Sequence, residues 1–169
     1  MCLLRVFYPD EIKESAYSID YEDLYERGIR GLIYDIDNTL VEHGFPADKR
    51  AIDLIERLKS IGFQITLLSN NKEARVKMFN DSVNVNYIFK AGKPLKKGYL
   101  KAMDIMGTDL SSTVFIGDQL FTDILGAKLC RMKNILVKPI DPHEEIQIVL
   151  KRKLEAIVLF FYLRRKNTI

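Results

Sequence analysis

The chain has 169 residues, of which 47% are hydrophobic and 29% charged, and this composition is typical of a globular protein with one domain and a substantial core. It excludes a disordered or collagen-like chain, and two cysteines without a CxxC spacing argue against a disulfide framework or a zinc site and favour a cytoplasmic location. The net charge of +3 is small, and no run of basic residues alternates with aromatic ones, so no nucleic-acid partner is indicated. No stretch approaches the roughly 20 apolar residues that cross a bilayer.

The charge is distributed unevenly along the chain. The first 45 residues contain 4 Lys and Arg against 10 Asp and Glu, whereas the remainder contains 22 against 13. The later positive excess suits an anionic substrate, although a solvated basic surface explains it equally well.

Residues 1–28 are predicted to form an N-terminal arm and a short helix. Aromatic and apolar side chains between residues 3 and 8 favour an arm that packs against the domain. Asp20 is a suitable N-cap for a helix that runs through Arg27, and Gly28 follows as its stop.

The first core strand ends in two carboxylates. Residues 32–34 are apolar without polar alternation, which predicts a strand buried on both faces, and Asp35 and Asp37 follow at its end. Two carboxylates there lose hydration and repel each other, so a cation or a shared proton must balance them, and a hard divalent ion is the simplest solution. The carboxyl ends of parallel strands are also where ligands bind. An Asp- and Asn-rich turn without function is the alternative.

The next two strands also run into polar residues. His43 lies in the loop after the first strand, either as a solvated residue or as a substrate contact, and a helix is predicted from about Pro46 to Ser60. A strand over residues 63–68 then ends in Ser69 and Asn70, before a helix over residues 72–79. A hydroxyl and backbone N–H groups at a helix start attract phosphate, although Ser and Asn are also ordinary caps.

The second half of the chain repeats the strand and helix alternation. A strand over residues 85–89 precedes Lys93 and a helix over residues 95–106. A strand from residue 113 ends in Gly117 and Asp118, and Asp123 lies about one helical turn later. A strand over residues 134–138 and a final helix over residues 144–164 complete the chain. This alternation predicts an α/β fold, a doubly wound and mostly parallel sheet, in a single domain over residues 1–169.

The strand ends resemble, in order, the four motifs of the haloacid dehalogenase (HAD) superfamily of phosphotransferases. The first motif is Asp-x-Asp-x-Thr-Leu after a hydrophobic strand, the second a Ser or Thr at a strand end, the third a Lys often before Pro, and the fourth Gly-Asp-x4-Asp. In this chain they match Asp35 to Leu40, Ser69, Lys93 with Pro94, and Gly117 to Asp123.

The resemblance implies a phosphatase mechanism. Asp35 would attack phosphorus and form an aspartyl-phosphate, and Asp37 would protonate the leaving oxygen and then activate water. Mg²⁺ would be held by Asp35, by the backbone carbonyl of Asp37 and by Asp118. The transferred phosphoryl group would be bound by Ser69, the Asn70 backbone and Lys93, and Asp123 would brace Lys93 or a metal-bound water.

The short connections predict a fold without a cap domain. Cap domains of this superfamily are inserted either after the first motif or after the third strand. Here only a loop over residues 42–46 follows the first motif, and the second connection, residues 80–85, is equally short. A chain without a cap resembles HAD subclass IIIA. Its motif residues are similar to those of the YqeG family, which is related to phosphatidylglycerophosphate phosphatases. In those phosphatases the residue between the two aspartates is often Lys, whereas this chain has Ile36. An open site suits a bulky phosphorylated substrate, such as a protein, a nucleic-acid end or a lipid head group, or a site covered by a partner subunit.

The last helix allows two interpretations. Residues 156–163 form an apolar octet between two basic triplets, at residues 151–153 and 164–166. Such a helix can lie in a bilayer interface, which would make the protein membrane-peripheral, or it can simply pack on the sheet.

Two other functions were compared with the phosphatase. A receiver domain places its phospho-accepting Asp on a later strand, and the strands that end at Ser69 and before Lys93 offer no carboxylate. The remaining alternative is a HAD-fold scaffold or assembly partner with little catalytic activity.

Overall fold

The computed structural model describes residues 3–141 and 146–166 of the chain. Its sheet has six strands in the order β1-β6-β5-β2-β3-β4, and every pairing is parallel. The strands are β1 Glu11–Lys13, β2 Gly31–Tyr34, β3 Gln64–Leu68, β4 Asn86–Ile88, β5 Thr113–Gly117 and β6 Lys133–Val137. The helices are α1 Tyr21–Glu26, α2 Lys49–Ile61, α3 Glu73–Val83, α4 Lys96–Met106, α5 Leu125–Leu129 and α6 Ile146–Lys166.

The central strands are buried on both faces, as their apolar sequences require. All four residues of β2 and all five of β5 are buried. Leu32 and Tyr34 belong to the core that contains the inner faces of α2 and α3, whereas Ile33 belongs to the core that contains α4. Successive side chains of a strand point to opposite faces, so one strand contributes to two layers of helices. The predicted doubly wound α/β fold is confirmed, with an all-parallel rather than a mostly parallel sheet among the described strands.

The N-terminal arm contributes a strand that the sequence pattern did not predict. Residues 11–13 form β1, which pairs with β6 at the sheet edge, with Glu11 opposite Ile135. Three residues with two charges carry no strand signal of their own. The arm is held by Asp10, whose Oδ2 accepts hydrogen bonds from the backbone N–H of Asn134 at 3.1 Å and from its side-chain nitrogen at 2.8 Å.

Several helix boundaries differ from the predictions. Helix α1 has its N-cap at Asp20 as predicted, but α2 begins after Asp48, whose side chain accepts from the backbone N–H of Ala51, rather than at Pro46. Helix α3 continues beyond residue 79 to Val83, because Val83 is buried in the core, and it ends at Asn84 with φ 47°. The turn that carries Asp123, residues 120–124, is π-helical. The predicted start of the last helix, at residue 144, lies outside the described residues.

No domain is inserted over the carboxyl ends of the strands in the described part of the chain. Residues 35–48 connect β2 to α2 without a helix or strand of their own, and the predicted short connection over residues 80–85 consists of the end of α3, which runs to Val83, and two residues before β4. The prediction of a capless fold is therefore confirmed. Among the described helices, none has an apolar stretch long enough to cross a bilayer.

We expect Asp10→Ala to lower the free energy of unfolding by about 1–3 kcal/mol, because the buried polar groups of Asn134 would lose their acceptor. Urea denaturation followed by circular dichroism measures this change. The matched control is Asp53→Ala, which removes an exposed ion pair with Lys49 and should cost within about 0.5 kcal/mol. Equal losses in the two variants would contradict the anchoring role of Asp10.

Candidate active site

Two adjacent parallel strands deliver carboxylates to the same edge of the sheet. Strands β2 and β5 pair with Tyr34 opposite Ile116, and the Asp35 backbone N–H donates to the Ile116 carbonyl at 3.0 Å. Asp35 and Asp118 therefore lie at neighbouring strand ends. Together with Asp123 they form a buried cluster in which one carboxylate oxygen from each lies within 4.8 Å of the other two. Three oxygen ligands at this spacing could hold a metal ion.

Lys93 is the buried cation of this cluster. Its Nζ donates to Asp35 Oδ1 at 2.5 Å and to Asp123 Oδ1 at 2.7 Å. Burial raises the pKa of Asp35 to about 7, with the nearby Lys93 opposing this shift and Asp123 adding to it. Burial alone would lower the pKa of Lys93, but the Asp123 and Asp35 carboxylates more than offset it, so the pKa of Lys93 is raised and the side chain stays protonated. The ammonium therefore stabilises carboxylates that burial would otherwise neutralise.

Asp37 lies in a different environment from Asp35, although only one residue separates them. Its Oδ1 accepts from Arg75 Nη2 at 2.8 Å, from Arg75 Nε at 3.1 Å and from the Gly44 backbone N–H at 2.8 Å. Its Oδ2 accepts from the Asn71 side chain at 2.7 Å. The Asp37 side chain is thus held outside the acidic cluster. Its proposed metal contact, through the backbone carbonyl, stays a prediction.

The turn after β2 separates the two aspartates. The Asn38 backbone N–H donates to the Val41 carbonyl at 2.7 Å, and Asn38 adopts a left-handed φ of 63°, which Asn tolerates better than most residues. The Thr39 hydroxyl donates to Asp118 Oδ1 at 3.3 Å. This tight turn sends Asp35 towards β5 and Asp37 towards α3.

The polar residues after β3 have separate tasks. The Ser69 hydroxyl is buried and accepts from the Asn71 backbone N–H at 3.1 Å. The Asn70 side chain bonds the backbone of Lys93 twice, accepting from its N–H at 2.7 Å and donating to its carbonyl at 3.1 Å. The Asn70 side chain is thus bound to the Lys93 backbone, and the contact of the Asn70 backbone with a phosphoryl group stays a prediction.

Glycine and a π-helical turn place Asp123 beside Lys93. The Gln119 backbone N–H donates to Asp123 Oδ2 at 3.1 Å. A Cβ on Gly117 would lie 2.5 Å from that same oxygen, so only glycine allows the approach. The Leu120 backbone N–H, two residues after Asp118, donates to Glu155 Oε1 at 2.7 Å, so α6 supports this turn from behind.

Sequence reasoning missed Arg75 and Asn71, which hold Asp37. Arg75 lies in the first turn of α3, where a cation is unfavourable beside the positive end of the helix dipole. That misplaced charge is a signal that could have indicated a buried acidic partner. His43 Nδ1 lies 3.8 Å from Asp37 Oδ1, but its side chain is 58% exposed, so the structure places it at the rim of the site.

A family model for haloacid dehalogenase-like hydrolases matches residues 43–131. The chain is 38% identical over 168 residues to the probable phosphatase YqeG of Bacillus subtilis (strain 168), covering 99% of this chain and 97% of that protein. It is 26% identical over 165 residues to the chloroplastic/mitochondrial phosphatidylglycerophosphate phosphatase 1 of Arabidopsis thaliana, covering 91% of this chain but only 47% of that protein.

Solved structures share the fold at low identity. NagD from E. coli K-12 has a TM-score of 0.56 at 13% identity, over 72% of this chain and 91% of that chain. The cobalt-bound deoxy-D-mannose-octulosonate 8-phosphate phosphatase (YrbI) of Haemophilus influenzae has a TM-score of 0.54 at 14% identity, over 67% and 80% of the two chains. These similarities support the architecture of the sheet.

We expect Lys93→Met to lower the free energy of unfolding by about 3–5 kcal/mol near pH 8 without divalent metal, because Asp35 and Asp123 would lose their shared cation. The folded-state pKa of Asp35 already lies above its ordinary value, and it would rise further in the variant. Between the unfolded and the folded pKa of Asp35, the folded variant then binds more protons than the unfolded chain. The stability of the variant should therefore fall as the pH rises through that interval and recover on acidification.

Urea denaturation at several pH values measures this effect. Lys49→Met is the matched control, since Lys49 pairs with Asp53 on the surface, and its loss should stay within about 0.5 kcal/mol. A Lys93 variant as stable as this control at every pH would contradict the electrostatic role of Lys93.

Proposed function

The chain belongs to the haloacid dehalogenase-like hydrolase family, and from this premise we propose that it is a Mg²⁺-dependent phosphatase that hydrolyses a phosphate monoester through an aspartyl-phosphate on Asp35. The observation that carries the proposal is the buried cluster of Asp35, Asp118 and Asp123, in which Lys93 binds Asp35 and Asp123 and beside which Asp37 is held separately. We also propose that residues 1–169 form one hydrolase domain, since all six strands, from β1 near the N-terminus to β6 in the second half of the chain, belong to one sheet. A cytoplasmic location stays a prediction from the cysteine content.

The donor set fits a hard divalent cation, because every ligand atom in the cluster is a carboxylate oxygen. Asp35 and Asp118, with the Asp37 backbone carbonyl, would hold Mg²⁺, and Asp123 lies close enough to support it. When bound, the ion would draw negative charge from the phosphoryl oxygens. Zinc and copper fit less well, since the described residues place no histidine or thiolate in the cluster.

Asp35 acts as the nucleophile. One of its oxygens accepts from Lys93, which favours the ionised carboxylate against the effect of burial and holds it in place. An oxygen of Asp35 attacks phosphorus, the bond from phosphorus to the ester oxygen breaks, and the phosphoryl group is left on Asp35. Ser69, the Asn70 backbone and Lys93 hold the phosphoryl oxygens during this transfer.

Asp37 moves the proton in both steps. It donates a proton to the departing ester oxygen, so the alcohol leaves neutral, and it then takes a proton from the water that attacks the aspartyl-phosphate. That attack breaks the bond between phosphorus and Asp35 and releases inorganic phosphate. Arg75, Asn71 and the Gly44 N–H hold the Asp37 carboxylate in one orientation, which this double role requires.

The open approach to the site supports a bulky substrate. No cap covers the strand ends in the described residues, so a large ester can reach Asp35. The name of the Arabidopsis relative supports a lipid phosphate of the phosphatidylglycerophosphate type. Ile36, in place of the lysine frequent in those phosphatases, leaves other bulky esters as candidates.

We expect the purified protein to hydrolyse p-nitrophenyl phosphate. Asp37→Ala should lower kcat by about 10²–10⁴, because proton transfer to the leaving group and from water is lost. Asp35→Asn should abolish turnover, whereas Asp81→Asn, an exposed change on α3, should leave the rate unchanged.

Two results would overturn these assignments. Full activity in Asp35→Asn would refute the nucleophile. A wild type that is inert towards lipid, sugar, nucleotide and phosphopeptide esters with Mg²⁺ would favour the scaffold alternative.

Removal of metal provides a separate test. EDTA should abolish hydrolysis, and MgCl₂ should restore it and raise Tm. At a Mg²⁺ concentration a hundredfold above Kd, binding stabilises the folded state by about 2.7 kcal/mol. Asp118→Asn should lose this thermal shift because a ligand is removed. The control Asp109→Asn, at an exposed position, should keep it. Equal shifts in both variants would show that Asp118 does not hold the ion.

A further inference from the structure

The outer face of α6 exposes large apolar side chains. Among the described side chains of this helix, Glu155, Val158, Leu159 and Tyr162 turn towards the domain, where Val158 and Glu155 are buried. The opposite side, here called the outer face, consists of Leu154, Ile157, Phe160 and Phe161, which are 52%, 54%, 59% and 46% exposed. Packing on the sheet therefore accounts for only one stripe of the helix.

Single exposed apolar residues are normal, but a contiguous group is not. The outer face contributes four of the fifteen exposed large hydrophobic residues in the described part of the chain, within eight consecutive positions. Patches of this kind mark surfaces that bind a partner or a membrane. The outer face therefore needs an occupant.

The charges around the outer face select that occupant. By sequence, three basic residues precede it at positions 151–153 and three follow it at positions 164–166. The acidic residue within residues 151–166 is Glu155, which faces inward and accepts the Leu120 N–H. A second copy docked by twofold symmetry would bring the same cations together and would be repelled. An anionic lipid surface attracts these cations and accepts the apolar side chains between them.

We propose that the outer face of α6 docks on an anionic lipid bilayer, with the helix lying in the plane of the interface. The aromatic pair Phe160 and Phe161 enters the boundary between head groups and acyl chains, and the basic triplets that flank the outer face in the sequence supply the positive charge that attracts the lipid phosphates. This geometry agrees with a helix whose apolar stretch is too short to cross the membrane.

Docking would place the candidate active site at the membrane surface. The inner side of α6 lines a cavity of about 420 Å³ whose other walls include Leu136, Pro139 and Asp118. The cavity thus connects the docking helix with a residue of the acidic cluster. If the proposed phosphatase function holds, the docked protein would take its phosphate ester from the bilayer, with apolar parts of that ester entering this cavity.

Vesicle co-sedimentation of the full chain tests the docking directly. The protein should sediment with vesicles of equimolar phosphatidylcholine and phosphatidylglycerol, bind phosphatidylcholine vesicles more weakly, and lose affinity as salt is raised. The double variant Phe160→Ser with Phe161→Ser should lower the partition coefficient by about tenfold or more. Leu154→Ser with Ile157→Ser should do the same. The control Ile105→Ser removes an apolar side chain of 42% exposure on α4 and should bind as the wild type does.

Three outcomes would overturn the proposal. In the first, the wild type does not sediment with the anionic vesicles. In the second, both double variants bind as well as the wild type does. The third is a dimer in size-exclusion chromatography that both double variants abolish, which would assign the outer face to a second copy. Circular dichroism melting verifies that each variant is folded.

Membrane docking of α6 and phosphatase activity can be tested independently of each other. Vesicle binding needs no catalysis, and hydrolysis of p-nitrophenyl phosphate in vesicle-free solution needs no docking. A protein that sediments with vesicles but is inert would keep the docking and refute the phosphatase.

Discussion

The contact between the buried Lys93 ammonium and the carboxylates of Asp35 and Asp123 is the interaction on which the site depends. A parallel sheet brings strand ends together, and here that means burying several acidic groups within a few ångströms of each other. Without a cation these groups would protonate or push the loops apart. Lys93 makes the cluster compatible with the folded state, and the Asn70 side chain fixes the Lys93 backbone from both sides. The polar loop after β3 and the loop before α4 therefore act as one unit.

The two aspartates after β2 show how surroundings divide similar groups between different tasks. Asp35 faces a buried ammonium and other carboxylates, which suits a group that binds a metal and attacks phosphorus. Asp37 instead accepts hydrogen bonds from Arg75, Asn71 and the Gly44 backbone N–H. A single tight turn with Asn38 in the left-handed region produces this separation. Two aspartates that are one residue apart in the chain therefore have different surroundings.

Helix α6 connects this chemistry with the surface of the molecule. Its Glu155 accepts the Leu120 N–H in the turn that carries Asp118 and Asp123, so the helix supports the site. The same helix presents an apolar outer face between basic triplets. In a protein without a cap domain, a docking helix beside the strand ends is one way to bring a bulky ester to an open site.

The alternation of strands and helices, the five core strands and the order of the candidate site residues can be predicted from the amino-acid sequence, because apolar runs that end in polar residues are local patterns. The motif resemblance already implied that Asp35, Asp118 and Lys93 share one site and that Asp123 braces Lys93. Other contacts are known only from the folded chain: Arg75 with Asp37, the Asn70 side chain with the Lys93 backbone, and β1 with the sheet edge. Lys93 and Asp35 are 58 positions apart, and Asp10 and Asn134 are 124 apart. Contacts over such separations depend on how whole elements pack, and no local pattern of residues encodes that arrangement.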